Sequence, residues 1–234
     1  GKTFVGWQWK KTADAGFDIV TATGTGSAKT IAHSLSAVPQ VIISKEKSGS
    51  INDWVVYHES LGNTKKMVLN LSNAVSTDSC WNNTTPTSSV FSVSGASVVN
   101  RNSSTYVYYL FSEKKGYSKF SSYIGNGQDT PNGVFTYLGF TPAFILIKAT
   151  DSNSWVIVDN KRPADPNPVD SSLAANSSDA ETTGDSNTTF DFLSNGFRTN
   201  GISGNNNSSG QEYIFMAFAS SPFTTSTGIP ATAK

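Results

Sequence analysis

Two histidines, His33 and His58, are the whole supply of imidazole in this 234-residue chain. A catalytic or zinc role for either needs Cys, Asp or Glu converging at ligand spacing, and the sequence around both shows none, so structural or surface roles are expected. Cys80 is the sole cysteine. It excludes an intramolecular disulfide framework and carries no local nucleophile signature. Paired carboxylates cut glycosidic bonds when held a set distance apart across a sugar. Glu46, Asp53, Glu59, Asp151 and Asp159 stand at the ends of expected strands. No pair among them is singled out, and acids in turns usually bond the local backbone. The chain is therefore expected not to be an enzyme.

Hard cations take oxygen ligands, and Asp165, Asn167 and Asp170 offer them in a proline-stiffened loop, followed by Asp179, Glu181 and Asp185. Calcium is the ion this would suit. EF-hand spacing is missing and the first half of the chain has no matching acids, so a solvated Pro/Asp turn is the plainer reading. No other cofactor is expected. Gly24-Thr25-Gly26 and Gly125-Asn126-Gly127 imitate phosphate loops, but neither precedes a Lys-Ser/Thr helix start, and both read as hairpin turns. Asn-x-Ser/Thr triplets at Asn70, Asn82, Asn102, Asn176 and Asn187 follow from an Asn- and Ser-rich composition. The remaining chemistry is sugar binding, in which an exposed aromatic ring stacks and amides hydrogen-bond. Trp81 with Asn82 and Asn83, inside a polar loop, is the candidate; the alternative is that Trp81 caps the edge of a core, because Trp is usually mostly buried.

The elements that would position these residues are strands. Apolar segments are short, rich in Val, Ile, Phe, Tyr and Trp, and bounded by Gly, Asn, Asp, Ser or Pro. Val41-Ile42-Ile43 and Phe144-Ile145-Leu146-Ile147 are continuously apolar, as central strands covered on both faces would be. They pair with the strands at Trp54 to Tyr57 and Trp155 to Val158 as hairpins. Thr30-Ile31-Ala32-His33 alternates, as a half-exposed strand does. Val90 to Val93 and Phe190 to Phe197 each read as a hairpin.

The same landmarks occur twice. Trp54-Val55-Val56-Tyr57-His58 returns as Trp155-Val156-Ile157-Val158-Asp159, Pro39 to Lys45 as Pro142 to Lys148, Gly16-Phe17 as Gly116-Tyr117, and Tyr106 to Phe111 as Tyr213 to Phe218. Their offsets are 101, 103, 100 and 107 residues, which is a tandem duplication of one unit. Expected boundaries are 11–113 and 114–223 for the two units and 224–234 for a C-terminal tail. Residues 1–10, with Phe4-Val5-Gly6-Trp7-Gln8-Trp9, read as the closing strand of a preceding unit or the first strand of the first. Either way Trp7 and Trp9 share a face that should lie against a sheet.

Composition narrows the partners. Seventeen basic and 17 acidic side chains balance, and only 15% of residues are charged. No basic footprint for nucleic acid exists, and no apolar run approaches the ~18 residues of a membrane span. The chain opens on Gly1 without a signal-peptide pattern, and reads as a fragment, a processed product or the ordered part of something longer.

Gly116-Tyr117-Ser118-Lys119-Phe120, Tyr123 to Gly127, Gly139 to Phe144, Trp155 to Asp159, Leu173 to Asn176, Phe192 to Phe197 and Tyr213 to Ala219 together resemble a repeat module of tailed-bacteriophage virion proteins. The likeness covers nearly the whole chain, twice over. It implies a jelly-roll or concanavalin-like, lectin-like β-sandwich in a tail-fibre or particle-surface protein, and supplies no catalytic residues. The first unit departs from it at Cys80-Trp81 and lacks the Asp/Pro loop. The reading is thus an all-β protein of two tandem antiparallel β-sandwich modules on the virion surface. It would contact other virion proteins, host-cell glycan and further copies of itself. Purely structural decoration of the capsid, or a carbohydrate-binding module of a carbohydrate-active enzyme, are the alternatives.

Overall fold

The computed structural model describes residues 4–48, 53–163 and 167–221. β-branched and aromatic runs broken by Gly, Asn and Ser form sixteen strands among these residues, all paired antiparallel, with one short α-helix at Ser97–Asn100 and 3-10 turns at Ala13–Ala15 and Glu59–Leu61. In the first half they are β1 (Phe17–Thr23), β2 (Lys29–Ala32), β3 (Val41–Glu46), β4 (Val55–His58), β5 (Lys65–Val68), β6 (Ser76–Thr77), β7 (Val90–Val93) and β8 (Thr105–Phe111). In the second they are β9 (Ser118–Ile124), β10 (Phe135–Tyr137), β11 (Pro142–Ala149), β12 (Val156–Asp159), β13 (Ser172–Ala174), β14 (Phe190–Leu193), β15 (Gly196–Thr199) and β16 (Glu212–Ala219). The protein is an all-β sandwich fold.

Each half has one large and one small sheet. The large sheets run β1-β8-β3-β4-β5-β6 and β9-β16-β11-β12-β13; the small ones are β2-β7 and β10-β15-β14. Register repeats with the order: Val41 faces His58 and Ile43 faces Val56, as Phe144 faces Asp159 and Leu146 faces Ile157.

Period-two alternation sends successive side chains to opposite faces, and here both faces are covered. Ile42, Tyr57, Tyr106 and Tyr108 turn toward the first small sheet, meeting Ile31, Phe91 and Val93. Ile145, Val158, Tyr213 and Phe215 do the same in the second half, against Phe190 and Phe197. The opposite faces of the two large sheets pack on each other through Val41, Val56, Phe111, Leu146, Trp155, Met216 and Phe218. The result is four layers with three apolar seams. Burial of each such side chain contributes about 1.5–3 kcal/mol, which is why β3 and β11 lose the polar alternation of a surface strand. Polar bonds cross the central seam too: the Trp155 indole donates to the Val68 carbonyl at 2.8 Å, His58 Nε2 donates to the Phe215 carbonyl at 3.2 Å, and the Val75 N–H donates to the Thr150 carbonyl at 2.8 Å.

Three expectations about elements change. Gly24–Gly26 and Gly125–Gly127 are not hairpin turns; they carry the chain from a large sheet to the facing small one, since β1 and β2 belong to different sheets, as do β9 and β10. Fully buried Asn100 holds the first corner by accepting the Thr25 N–H (2.9 Å) and donating to the Ser27 carbonyl (2.7 Å). Asn207 repeats this with the Asn126 N–H (3.0 Å) and the Gln128 carbonyl (2.8 Å). A Cβ on Gly24 would stand 2.0 Å from the Arg101 carbonyl oxygen, and one on Gly125 would stand 2.3 Å from that of Ser208. Glycine is required there by close approach, not by phosphate. Second, residues 90–93 are a single strand, while the corresponding region of the second half is the hairpin β14–β15.

Third, Phe4–Lys10 forms no strand. Its indoles anchor it instead. Trp7 meets Phe144 edge-on at 5.4 Å, and Trp9 packs on Phe111 of one half and on Phe144 and Phe218 of the other. Both rings are half-buried where the central seam opens, so aromatic contacts replace ladder hydrogen bonds. The expected tail at 224–234 lies outside the described residues.

Candidate functional site

The residues singled out for chemistry are spread through this frame and are largely occupied by structural bonds. His33, half-buried, has Nε2 at 3.1 Å from the Thr87 carbonyl oxygen. His58 is buried at the central seam, where Nδ1 accepts the Ser60 N–H at 3.2 Å and Nε2–H meets Phe215. Desolvation pulls its pKa down to about 4, against the weaker opposing effect of the Phe215 hydrogen bond. The ring is neutral at physiological pH. The Cys80 thiol is fully buried; burial, with Asp78 nearby, pushes its pKa up to about 12, so it is not a nucleophile in the folded chain.

The sugar-stacking reading of Trp81 is overturned. Its ring is 1% exposed, set in the first-half core and edge-on to Tyr57 at 5.8 Å. Asn82 and Asn83 are exposed but sit in left-handed conformation, with φ of 52° and 48°, in the turn that drives Trp81 inward. The polar neighbours that suggested exposure are the turn itself.

The calcium reading also loses ground. Asn167 is reciprocally bonded to the main chain of Phe192, donating to its carbonyl at 2.9 Å and accepting its N–H at 2.8 Å, so its carboxamide clamps β14. Asp170 accepts from Ser171 at 3.4 Å, and Asp165 lies outside the described residues. Among the described residues no group of three His, Cys, Asp or Glu side chains is placed to hold a metal ion. Sequon residues Asn70 and Asn176 accept the N–H groups of Trp54 (2.8 Å) and Trp155 (2.7 Å), another bond common to both halves.

The halves diverge at His58 and Asp159. Where His58 bonds across the seam, Asp159 gathers the Trp7 indole (3.1 Å), Arg162 Nε (2.7 Å) and the Lys161 N–H (3.0 Å). Burial raises the Asp159 pKa, but the Arg162 guanidinium and these N–H groups outweigh it and hold the carboxyl below its ordinary value. Arg162 also bonds Glu181 and lies over the Trp7 ring at 5.9 Å. This network pins the N-terminal segment. Buried Lys148 likewise spends its ammonium on the Ala149 (2.7 Å) and Asp151 (2.5 Å) carbonyls, and burial, opposed by Asp151, lowers its pKa to about 8.

The second divergence opens a cleft. Because β8 meets β1 at Phe111–Phe17 and β16 meets β9 at Phe218–Ser118, Asp18 and Lys119 occupy one position. By strand position Tyr137 corresponds to Ala32, since Leu138 N–H bonds the Asn195 carbonyl just before β15 as His33 N–H bonds the Ser89 carbonyl just before β7. In the first half Asp18 accepts the Ser34 N–H at 2.7 Å; in the second Lys119 donates to the Tyr137 carbonyl at 3.0 Å. The exchange leaves a tyrosine ring 59% exposed with the Lys119 ammonium 5.4 Å from its centroid. Around it lies a cleft of about 400 Å³ lined by Glu113, Lys115, Lys119, Tyr137 and Gly139. Glu113 accepts the Phe120 N–H at 2.7 Å. Burial raises its pKa, with that bond and Lys119 acting against it. Tyr137 carries no motif of its own; its signal in the sequence is a tyrosine where the other copy has Ala32.

A family model described as Domain of unknown function (DUF7483) matches residues 1–222. The chain belongs to this family. No curated protein and no solved structure matches it. The family match spans both halves, so the duplicated pair of sandwiches is the unit to which the description applies. No helix among the described residues is long and apolar enough to cross a membrane.

Proposed function

We propose that this chain is a non-enzymatic surface or tail-fibre component of a virus particle, with loops that engage the host receptor. One observation carries the reading: the halves agree in strand order, register and buried Asn bonds, yet differ at outward positions such as 32 and 137. That is the pattern of a display frame with changeable surfaces. The likeness to phage virion repeats, the balanced charge and the structural use of His58, Cys80 and Asp159 support it. Two similar units in one chain would raise avidity for a repeated ligand.

A second reading, decoration or spacing without a ligand, draws on the burial of Trp81. Immunogold labelling of the particles with antibody to the chain, together with competition of particle adsorption by the purified protein, separates the two. Surface label with blocked adsorption supports receptor engagement, whereas label without blocking supports decoration. Particles that take no label would sink both.

A further inference from the structure

We propose that the cleft beside Tyr137 is a saccharide subsite for a carboxylated sugar, of uronic- or sialic-acid type. The proposal deepens the receptor-binding reading and rests on it for its biological setting. Its rings and cations belong to the second half, and the Glu113 carboxylate comes from the junction between the halves. Phe135 and Tyr137 project from the same face of β10, 48% and 59% exposed, on either side of buried Thr136. The corresponding outward positions of β2 are Thr30 and Ala32, so the aromatic pair has no counterpart in the other sandwich. Aromatic faces offer a sugar's C–H surface a large apolar platform at little entropic cost.

The Tyr137 ring is positioned rather than loose. Lys119 ties its main chain and sits over the ring. Gly139, at φ +83°, lets the ring approach, since a Cβ there would lie 3.3 Å from the Tyr137 hydroxyl. The polar wall suits an anionic sugar. Lys115 is exposed, and Lys119 uses one ammonium hydrogen on Tyr137, so two cations line the cleft beside the Glu113 carboxylate, with Glu59 the further acid near Glu113. Glu113 commits one oxygen to the Phe120 N–H, and its second takes no hydrogen bond among the described residues, leaving an acceptor for a sugar hydroxyl. A neutral sugar would gain the ring and the acceptor but not the pair of ammonium groups; inorganic phosphate would gain the cations but not the ring.

Saturation-transfer NMR with the intact chain tests this, using a glucuronate oligosaccharide, its neutral glucose counterpart and inorganic phosphate as probes. Transfer to the glucuronate C–H protons is expected, with affinity about tenfold weaker after Tyr137→Ala and salt-sensitive weakening after Lys115→Ala. Gly139→Ala should weaken binding by displacing the ring, and amide spectra of each variant verify the fold. The proposal is overturned by no transfer, by equal binding of the glucose oligomer, by displacement with phosphate alone at equal concentration, or by unchanged affinity in Tyr137→Ala. Failure here with particle labelling and blocked adsorption intact would remove the subsite and leave the surface role standing.

Discussion

The Lys119 ammonium bonds the Tyr137 carbonyl at 3.0 Å from the strand position at which Asp18 bonds the Ser34 N–H at 2.7 Å. A tie between a large sheet and the end of the facing small-sheet strand is thus made with opposite polarity in the two copies. A carboxylate reaches a donor in one, and an ammonium reaches an acceptor in the other. The charge reversal is tolerated because a main-chain amide offers both groups.

The two ties should differ in cost. Asp18 is 4% exposed, accepts the Ser34 and Ile19 N–H groups and pairs with Lys11 at 3.2 Å. Asp18→Ala leaves buried donors unpaired and is expected to cost about 1–3 kcal/mol. Lys119→Ala frees a partly solvated carbonyl and should cost about 1 kcal/mol or less. Urea unfolding measures both, and a Lys119 loss equal to or above that of Asp18 would contradict the burial argument.

Trp81 should behave as a core residue. Trp81→Ala empties a site enclosed by Tyr57 and its neighbours, with an expected loss of about 3–5 kcal/mol, read from the unfolding midpoint. A change below about 1 kcal/mol would place the ring at the surface after all. Sugar binding at the Tyr137 cleft should survive wherever the variant stays folded.

Acid should loosen the central seam through His58. The unfolded chain takes up a proton near pH 6.5 and the folded chain only near pH 4. Between those values the unfolded state binds more protons, so stability is full above 6.5 and falls as pH drops toward 4. The shift corresponds to about 3 kcal/mol. His58→Asn should flatten this part of the stability profile. Parallel wild-type and variant profiles from pH 7 to 4 would remove His58 as the cause.

Much of the frame was legible in the residues themselves. β-branched and aromatic runs set the strands, and the Trp-Val-Val-Tyr and Trp-Val-Ile-Val echo carried the register with it, because identical spacing between paired segments reproduces the same partners. The unbroken apolar stretches at Val41 and Phe144 announced burial on both faces. They could not name what covers the second face, since alternation records how buried a side is and not by what. Trp81 misled because its polar neighbours belong to a left-handed turn, and a turn's polarity says nothing about where the ring beside it points.

By itself, then, the sequence determined an all-β chain and its duplication, since both reside in local propensity and periodicity. Only the tertiary structure decided that the two large sheets seal against each other, that His58 and Trp155 bridge them, and that Tyr137 rather than Trp81 faces solvent. Each of those depends on atoms distant along the chain: Phe215 for His58, Val68 for Trp155, and Lys119 with Gly139 for Tyr137. Exposure is a property of the assembled neighbourhood, which no local pattern encodes.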